Sequence, residues 1–158
     1  MDPKWLQTYR EEIGTFSEKI HAFNEGKIEK KDYKGYSGGM GSYAQRDQTK
    51  HMLRLRMPGG RLTAERLKFL AGTVEKYGVR RLKLTTCETV QLQDLPAEQV
   101  PAIMEEAASC GIICRGGGGD NPRNVMCSPL SGVQKGEAFY PTPYAEAVTE
   151  DLLSICRD

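Results

Sequence analysis

A glycine-rich stretch followed by polar side chains offers the clearest chemistry in this chain. Residues 116–119 are four consecutive glycines, and the segment behind them runs to Val125 through Asn121, Arg123 and Asn124. Glycines let a backbone adopt positive φ and approach a ligand closely. Backbone N–H groups beside a guanidinium suit an anion or a carboxylate-rich cofactor. The pattern therefore predicts an anion-binding loop, with a flexible surface loop as the alternative.

Alternating apolar residues predict the sheet that positions this loop. The predicted strands are 52–57, 81–84 and 90–93. Helices predicted over 63–77 and 96–110, with a short apolar strand at 111–114, complete the order strand, helix, strand, strand, helix, strand. We therefore expect an α+β fold of the ferredoxin-like, split βαβ type. In this fold both helices pack on one face of an antiparallel sheet.

The alternation also predicts which side chains face the helices. Those expected to be buried are apolar: Leu53, Leu55, Leu82, Leu84, Val90 and Leu92. Those expected on the opposite face are cations and amides: Arg54, Arg56, Arg81, Lys83, Gln91 and Gln93. Inert surfaces usually mix charges of both signs. A face with no acids therefore favours an anionic ligand, and an ordinary solvated face is the alternative.

The flanking segments are expected to be accessory. Residues 4–24 carry apolar side chains three and four positions apart and predict a helix. Residues 27–46 predict an irregular arm that wraps a neighbouring surface. A last helix, from about Tyr144 to Ile155, continues to Asp158, so we expect the front portion of a longer protein.

Composition limits the kind of function. The net charge is +1, so any anion site must be local. No segment predicts a membrane span or a secretion signal, and we expect a cytoplasmic protein that does not bind membranes. Five irregularly spaced cysteines predict neither a disulfide framework nor a metal site. Cys110 and Cys114 are expected to be packing residues, and no metal ligand is assigned.

Three motifs in order resemble those of the siroheme-dependent nitrite and sulfite reductases. They are 52–60 (MLRLRMPGG), 85–91 (TTCETVQ) and 119–129 (GDNPRNVMCSP), within a likeness that covers roughly residues 43–133. The resemblance implies a ferredoxin-like half-domain followed by the beginning of a domain that holds siroheme, a macrocycle rich in carboxylates, and a [4Fe–4S] cluster. The domains expected are an N-terminal helix and arm (1–48), the half-domain (49–116) and the start of the siroheme domain (117–158).

The resemblance also implies roles for individual residues. Arg54 and Arg123 match arginines that contact the substrate anion, and Gln91 matches the last glutamine of the second motif. The residues expected to bind siroheme are Arg54, Arg56, Lys83, Gln91, Gly119, Asn121, Arg123 and Asn124. The implied reaction is the six-electron reduction of sulfite or nitrite, with electrons from a donor protein or domain.

Two departures from the family pattern qualify these expectations. Cys87 stands where the family has arginine, and Glu88 where it has glutamine. The first cluster motif of the family, C-x5-C, is absent. Cys110 and Cys114 have the spacing of the second, C-x3-C, but they precede the third motif, whereas the family's pair follows it. We therefore expect the chain to supply arginines but no cluster ligands, and to be inactive alone.

Two non-catalytic alternatives stay open from the sequence. One is a module that binds RNA or another anion on the basic sheet face. RNA-binding sheets stack bases on aromatic side chains, and none lies on the predicted strands, so nucleic acid is disfavoured. The other is a degenerate relative that has lost siroheme and keeps a regulatory or subunit role.

Overall fold

A computed structural model describes residues 3–46 and 49–155. Its helices are α1 (Pro3–Asn24), α2 (Lys30–Gly39), α3 (Ala64–Tyr77), α4 (Val100–Ser109) and α5 (Thr142–Ile155). Its strands are β1 (Ser42–Ala44), β2 (Lys50–Leu55), β3 (Arg81–Leu84) and β4 (Val90–Pro96), with short 3-10 turns at Pro58–Gly60 and Ala97–Gln99. Cys156 and Asp158 lie outside the described residues. Within residues 3–46 and 49–155, no helix is both long and apolar enough to cross a membrane.

The four strands form one sheet in the order β1-β2-β4-β3, with every neighbouring pair antiparallel. Arg54 lies opposite Gln91, and Gln91 lies opposite Lys83. Directly opposed residues share a face of an antiparallel sheet, so these three side chains form one row across it. The predicted α+β, ferredoxin-like class is confirmed.

One hydrophobic core joins α1 and α4 to the two central strands. Leu53, Leu55 and Leu92 are fully buried, as the alternation predicted. The helix predicted for residues 4–24 is present, and it adds five core side chains: Trp5, Tyr9, Ile13, Phe16 and Ile20. Each large apolar side chain buried in this way contributes roughly 1.5–3 kcal/mol. The core therefore fixes β2 and β4, the strands that carry Arg54 and Gln91.

The prediction that Leu82 and Leu84 are buried is wrong. Leu82 is 39% exposed and Leu84 is 70% exposed. They lie on β3, an edge strand in which all four residues are exposed, and α3 buries only Leu70 and Thr73. The core is centred instead on β2 and β4, because α1 supplies apolar surface that the sequence pattern had assigned to α3.

The arm predicted to be irregular is in fact regular. Residues 30–39 form α2 and residues 42–44 form β1, which pairs with β2. The strand predicted at 111–114 is also wrong, although Ile112 and Cys114 are fully buried. β1 already occupies the free edge of β2, and the Cys114 N–H bonds the Tyr9 hydroxyl at 3.1 Å, so no ladder forms there.

The last helix is confirmed at Thr142–Ile155, but its apolar residues do not mark its buried face. Tyr144 is 63% exposed and Ile155 is 71% exposed. Ala145 and Leu153 are buried instead, and the Leu153 carbonyl accepts a hydrogen bond from Trp5 Nε1 at 3.4 Å. Helix α5 therefore contacts α1 near Leu153, while its Ala145 packs on the Pro58–Gly60 turn.

A fully buried histidine fastens the arm to the sheet. His51 on β2 contacts the Ser42 hydroxyl through Nδ1 at 3.0 Å and the Tyr33 hydroxyl through Nε2 at 3.3 Å. Burial lowers the pKa of His51 from 6.5 to about 4, and the Glu98 charge opposes this only in part. The neutral imidazole is therefore the form that fits between α2, β1 and β2.

We expect this histidine to make the fold sensitive to acid. Below pH 6.5 the unfolded chain binds a proton at residue 51 that the folded chain excludes down to a pKa of about 4. The free energy of unfolding should therefore fall by about 3 kcal/mol between these pH values. Urea unfolding at a series of pH values measures it. The His51→Gln variant should lose this part of the pH dependence; an identical pH profile in the variant would contradict the assignment.

Candidate anion-binding site

Three of the cationic residues predicted from the sequence, Arg54, Arg56 and Arg123, converge on one cavity of about 380 Å³. Its lining is polar: Arg54, Arg56, Thr85, Thr86, Cys87, Thr89, Gln91, Gly117, Arg123 and Asn124. Three guanidiniums, three threonine hydroxyls and two side-chain amides line it, and no carboxylate does so among the described residues. Such a set of donors suits an oxyanion or several carboxylates.

Arg54 is held in place by the glycine loop and by the neighbouring strand. Its Nη1 donates to the Gly117 carbonyl at 2.7 Å. A guanidinium only donates hydrogen bonds, so the Gln91 amide must turn its oxygen towards Arg54. In that orientation it accepts from Nη2 at 2.7 Å and from Nε at 3.2 Å. These contacts use three of the five N–H donors of the guanidinium and leave two for a bound anion.

Arg123 reaches the same carbonyl from the other side. Its Nη1 lies 3.4 Å from the Gly117 oxygen, and the residue as a whole is exposed. Arg54 and Arg123 thus share one acceptor, which holds two positive charges close together. An anion placed between them would relieve their mutual repulsion. The shared Gly117 carbonyl is the feature that brings strand β2 and the third motif into one site.

Arg56 differs from its predicted position on an exposed sheet face. It is 1% exposed, and it donates to the carbonyls of Arg115 at 3.2 Å and Arg123 at 3.0 Å. It follows the last residue of β2, so the alternation of the strand no longer sets its direction. Arg56 therefore holds the glycine loop at both of its ends, and its guanidinium adds positive charge to the cavity wall.

The four glycines are required by close packing within the chain. A Cβ at Gly117 would lie 2.7 Å from the Cys114 carbonyl oxygen, and one at Gly118 would lie 2.5 Å from the Tyr43 hydroxyl. The amides of Gly116, Gly117 and Gly119 bond Gly39 O, Cys114 O and the Tyr43 hydroxyl. The prediction that these N–H groups face a ligand is therefore wrong for these three. The loop offers its guanidiniums instead.

The remaining predicted residues divide between two places. Asn124 lines the cavity, and its Nδ2 lies within 3.1 Å of the carbonyls of Met57, Cys87 and Glu88, which ties three segments together. Gly119 and Asn121 lie on the other side of the loop, away from the cavity lining. Lys83 is exposed at the far end of the row that begins with Arg54, outside the lining.

The two departures from the family motif have different surroundings. Cys87 is exposed and lines the cavity. Glu88 does not line it: its Oε2 accepts a hydrogen bond from the Cys127 N–H at 3.1 Å, and the side chain packs against Gly60. The negative charge of Glu88 is thus directed away from the guanidiniums. Burial raises the pKa of the Cys127 thiol, and the charge of Glu88 raises it further.

The sheet face does contain an acid, contrary to the prediction. Asp94 has a φ of 61° and pairs with Arg81 at 2.8 and 3.0 Å. The hydrogen bond from Arg81 lowers the pKa of the Asp94 carboxyl. Arg81 is therefore neutralised locally.

Sequence reasoning also missed part of the site. The threonines of the second motif line the cavity, and the Thr85 and Thr89 hydroxyls lie 2.7 Å apart. Their signal was present, because hydroxyls at positions 85, 86 and 89 surround a turn between two strands. The sequence analysis also did not place Tyr43 on a strand, although it lies on β1. Its hydroxyl bonds the Gly119 N–H at 2.6 Å, so the ring is held against the loop.

The described residues do not provide a metal centre. Across 3–46 and 49–155, no three histidine, cysteine or acidic side chains lie close enough to hold a metal ion. Cys114 is buried, which raises the pKa of its thiol to about 12, whereas Cys110 and Cys87 are exposed. The predicted packing role fits Cys114, and Cys110 does not share it. These residues do not fit an iron–sulfur cluster.

The fold and the site together define a class of protein. It is an α+β half-domain with a four-stranded sheet and with arginines at one end of the central strand β2. Residues 43–110 match the family described as the nitrite/sulfite reductase ferredoxin-like half domain. This segment of the chain belongs to the nitrite and sulfite reductase family. The domain boundaries given above and the roles of the individual site residues stay predictions.

Relatives with curated names include both kinds of reductase. A ferredoxin–nitrite reductase of Synechococcus elongatus is 33% identical over 102 residues, which is 64% of this chain and 20% of the relative. A ferredoxin sulfite reductase of Mycolicibacterium paratuberculosis is 27% identical over 80% of this chain and 26% of its own length. The solved NirA protein of Mycobacterium tuberculosis superposes with a TM-score of 0.69 at 25% identity, covering 79% of this chain and 26% of that one. The chain thus spans about a fifth to a quarter of these proteins.

Proposed function

We propose that this chain forms the anion-binding wall of a siroheme-dependent sulfite or nitrite reductase. The observation that carries the proposal is the convergence of Arg54, Arg56 and Arg123 on one cavity in which none of the described residues contributes a carboxylate. Arg54 and Arg123 would contact the substrate oxyanion, and the threonine hydroxyls and the Asn124 amide would complete the polar wall. The named reductase relatives support this role.

The donor set fits the edge of a carboxylate-rich macrocycle. Guanidiniums bind carboxylates through paired N–H groups and stay protonated at any working pH. Arg54, Arg123 and Gln91 would hold siroheme at this edge, and exposed Lys83 would reach a carboxylate further along the sheet. Gly119 and Asn121 would act indirectly, by holding the loop against α2 and β1. Cys87 leaves this edge with one arginine fewer than the family motif.

Siroheme would supply the iron at which electrons reach the substrate. The protein residues would do the rest: bind the anion, orient it and stabilise charge on its oxygens. The Arg54 guanidinium, fixed in advance by Gly117 and Gln91, needs no reorganisation when an anion arrives. We expect the electrons to come from ferredoxin or a similar carrier, which the names of the relatives state for those proteins.

Titration of the purified chain with siroheme tests this function. We expect saturable binding of one siroheme, seen in its Soret absorption, with affinity that falls as salt rises because the contacts are ionic. Arg123→Met should weaken binding about tenfold, as for one charge-assisted hydrogen bond. Arg123 is exposed, so the fold should survive. Adding sulfite or nitrite to the complex would then show which anion perturbs the spectrum.

The matched control is Arg80→Met, which removes an exposed arginine outside the cavity and should leave binding unchanged. No spectral change with wild-type protein would contradict the proposal and favour the relative that has lost siroheme. In that case Cys87→Arg is the variant to test next, because it restores the guanidinium of the family motif.

A further inference from the structure

A row of three glutamine amides leads from Arg54 across the sheet to the end of β1. The Gln91 amide contacts Arg54 at 2.7 and 3.2 Å, and it lies 2.9 Å from the amide of Gln93. The Gln93 amide in turn lies 3.0 Å from that of Gln45. Gln93 is only 9% exposed, whereas Gln45 is partly exposed beside the β1–β2 connection. The row is continuous.

The polarity of this row is set at the Arg54 end. Gln91 must present its oxygen to Arg54, and its NH2 group then faces Gln93. Gln93 must in return present its oxygen to Gln91 and its NH2 group to the Gln45 oxygen, so the three amides all point the same way along the row. Rotation of the Gln91 amide about its last bond would break its two hydrogen bonds to Arg54. A partner on the other side adds a third hydrogen bond that rotation would break, so it makes rotation rarer. Gln93 therefore reinforces the orientation in which the Gln91 oxygen faces the guanidinium.

We propose that Gln93 is a positioning residue for the anion site. It does not line the cavity. By holding Gln91, it keeps Arg54 in the orientation in which Nη1 bonds Gly117 and two N–H groups remain for an anion. The effect on binding rests on the proposed function. The restraint on Arg54 does not, because it exists in the protein without a ligand.

Two substitutions of similar size separate the acceptor from simple packing. Gln93→Met removes the acceptor, and Gln93→Glu keeps it. Nuclear magnetic resonance can follow exchange of the Arg54 Nε proton with water in the free protein, assigned by its loss in Arg54→Lys. We expect exchange to accelerate about tenfold in Gln93→Met, the effect of one hydrogen bond, and to stay near wild type in Gln93→Glu. A purely structural role would not separate the two variants.

Unchanged exchange in folded Gln93→Met would overturn the proposal. If that variant does not fold, Gln45→Met removes the outer support of the row instead and should show a smaller acceleration; no change there would overturn the proposal equally. Siroheme titration of the same variants keeps the two ideas apart. The Arg54 Nε proton could exchange more slowly in wild type than in Gln93→Met while neither protein binds siroheme. That result would contradict the proposed function and leave the positioning role of Gln93 intact.

Discussion

Replacing Arg54 by methionine is expected to raise the siroheme dissociation constant roughly 10- to 150-fold, because a charge-assisted hydrogen bond contributes about 1.5–3 kcal/mol. Arg54 is held in the cavity through Gly117 and Gln91. Its N–H groups are therefore already aligned before an anion binds. Absorbance titration measures the affinity, and thermal unfolding by circular dichroism shows whether the fold is kept.

The control for this variant is Arg81→Met on the same face of the sheet. Arg81 is exposed and pairs with Asp94, outside the cavity. Its loss should leave siroheme affinity within experimental error. Arg54→Lys should lie between wild type and Arg54→Met, since an ammonium keeps the charge but not the planar pair of donors. Equal weakening by Arg81→Met and Arg54→Met would mean that general surface charge, and not this cavity, attracts the cofactor.

Gly117→Ala is expected to damage both stability and binding. The added Cβ would lie 2.7 Å from the Cys114 carbonyl oxygen and 3.2 Å from the Gly41 Cα, so backbone has to move. Overpacking of this kind costs about 1–3 kcal/mol, or a fall in melting temperature of roughly 2–12 °C for a chain of this size. Movement of the Gly117 carbonyl also releases Arg54 and Arg123, and siroheme affinity should fall with it.

A glycine in open space provides the comparison. Gly72 lies inside α3, and nothing lies within 4 Å of the Cβ that alanine would add. Gly72→Ala should therefore stabilise the fold by about 0.5–1 kcal/mol through helix propensity and leave binding unchanged. Should Gly117→Ala melt at the wild-type temperature, the loop would not be packed as described.

The alternation of apolar and polar residues along the strands was enough to predict that Arg54 and Gln91 lie side by side at the site. The period of two placed Arg54 and Gln91 on one face and Leu53 and Leu92 on the other, and the structure has them so. The same rule failed for Arg56, because the strand ends at Leu55 and the next side chain turns towards loop carbonyls. A pattern within an element does not extend past the end of that element.

Long-range packing is what the sequence could not supply. Gly38 and Gly39 in α2 were assigned to an irregular arm because glycine disfavours helices. In the structure they permit close approach: a Cβ at Gly38 would lie 3.1 Å from the Gly119 nitrogen. Two glycine clusters far apart in the chain thus pack on each other. Only the fold shows that the glycines after Arg115 serve this contact.

The most direct test of the central claim is to locate bound siroheme on the chain by nuclear magnetic resonance. The paramagnetic iron broadens amide resonances near it. We expect the strongest broadening in the cavity that Arg54 lines, at residues 85–91, at Gly117 and at Arg123 and Asn124. Broadening instead around the larger cavity of about 550 Å³ between α1 and α2, at Thr8, Tyr36 and Arg115, would contradict the account. So would the absence of any localised broadening.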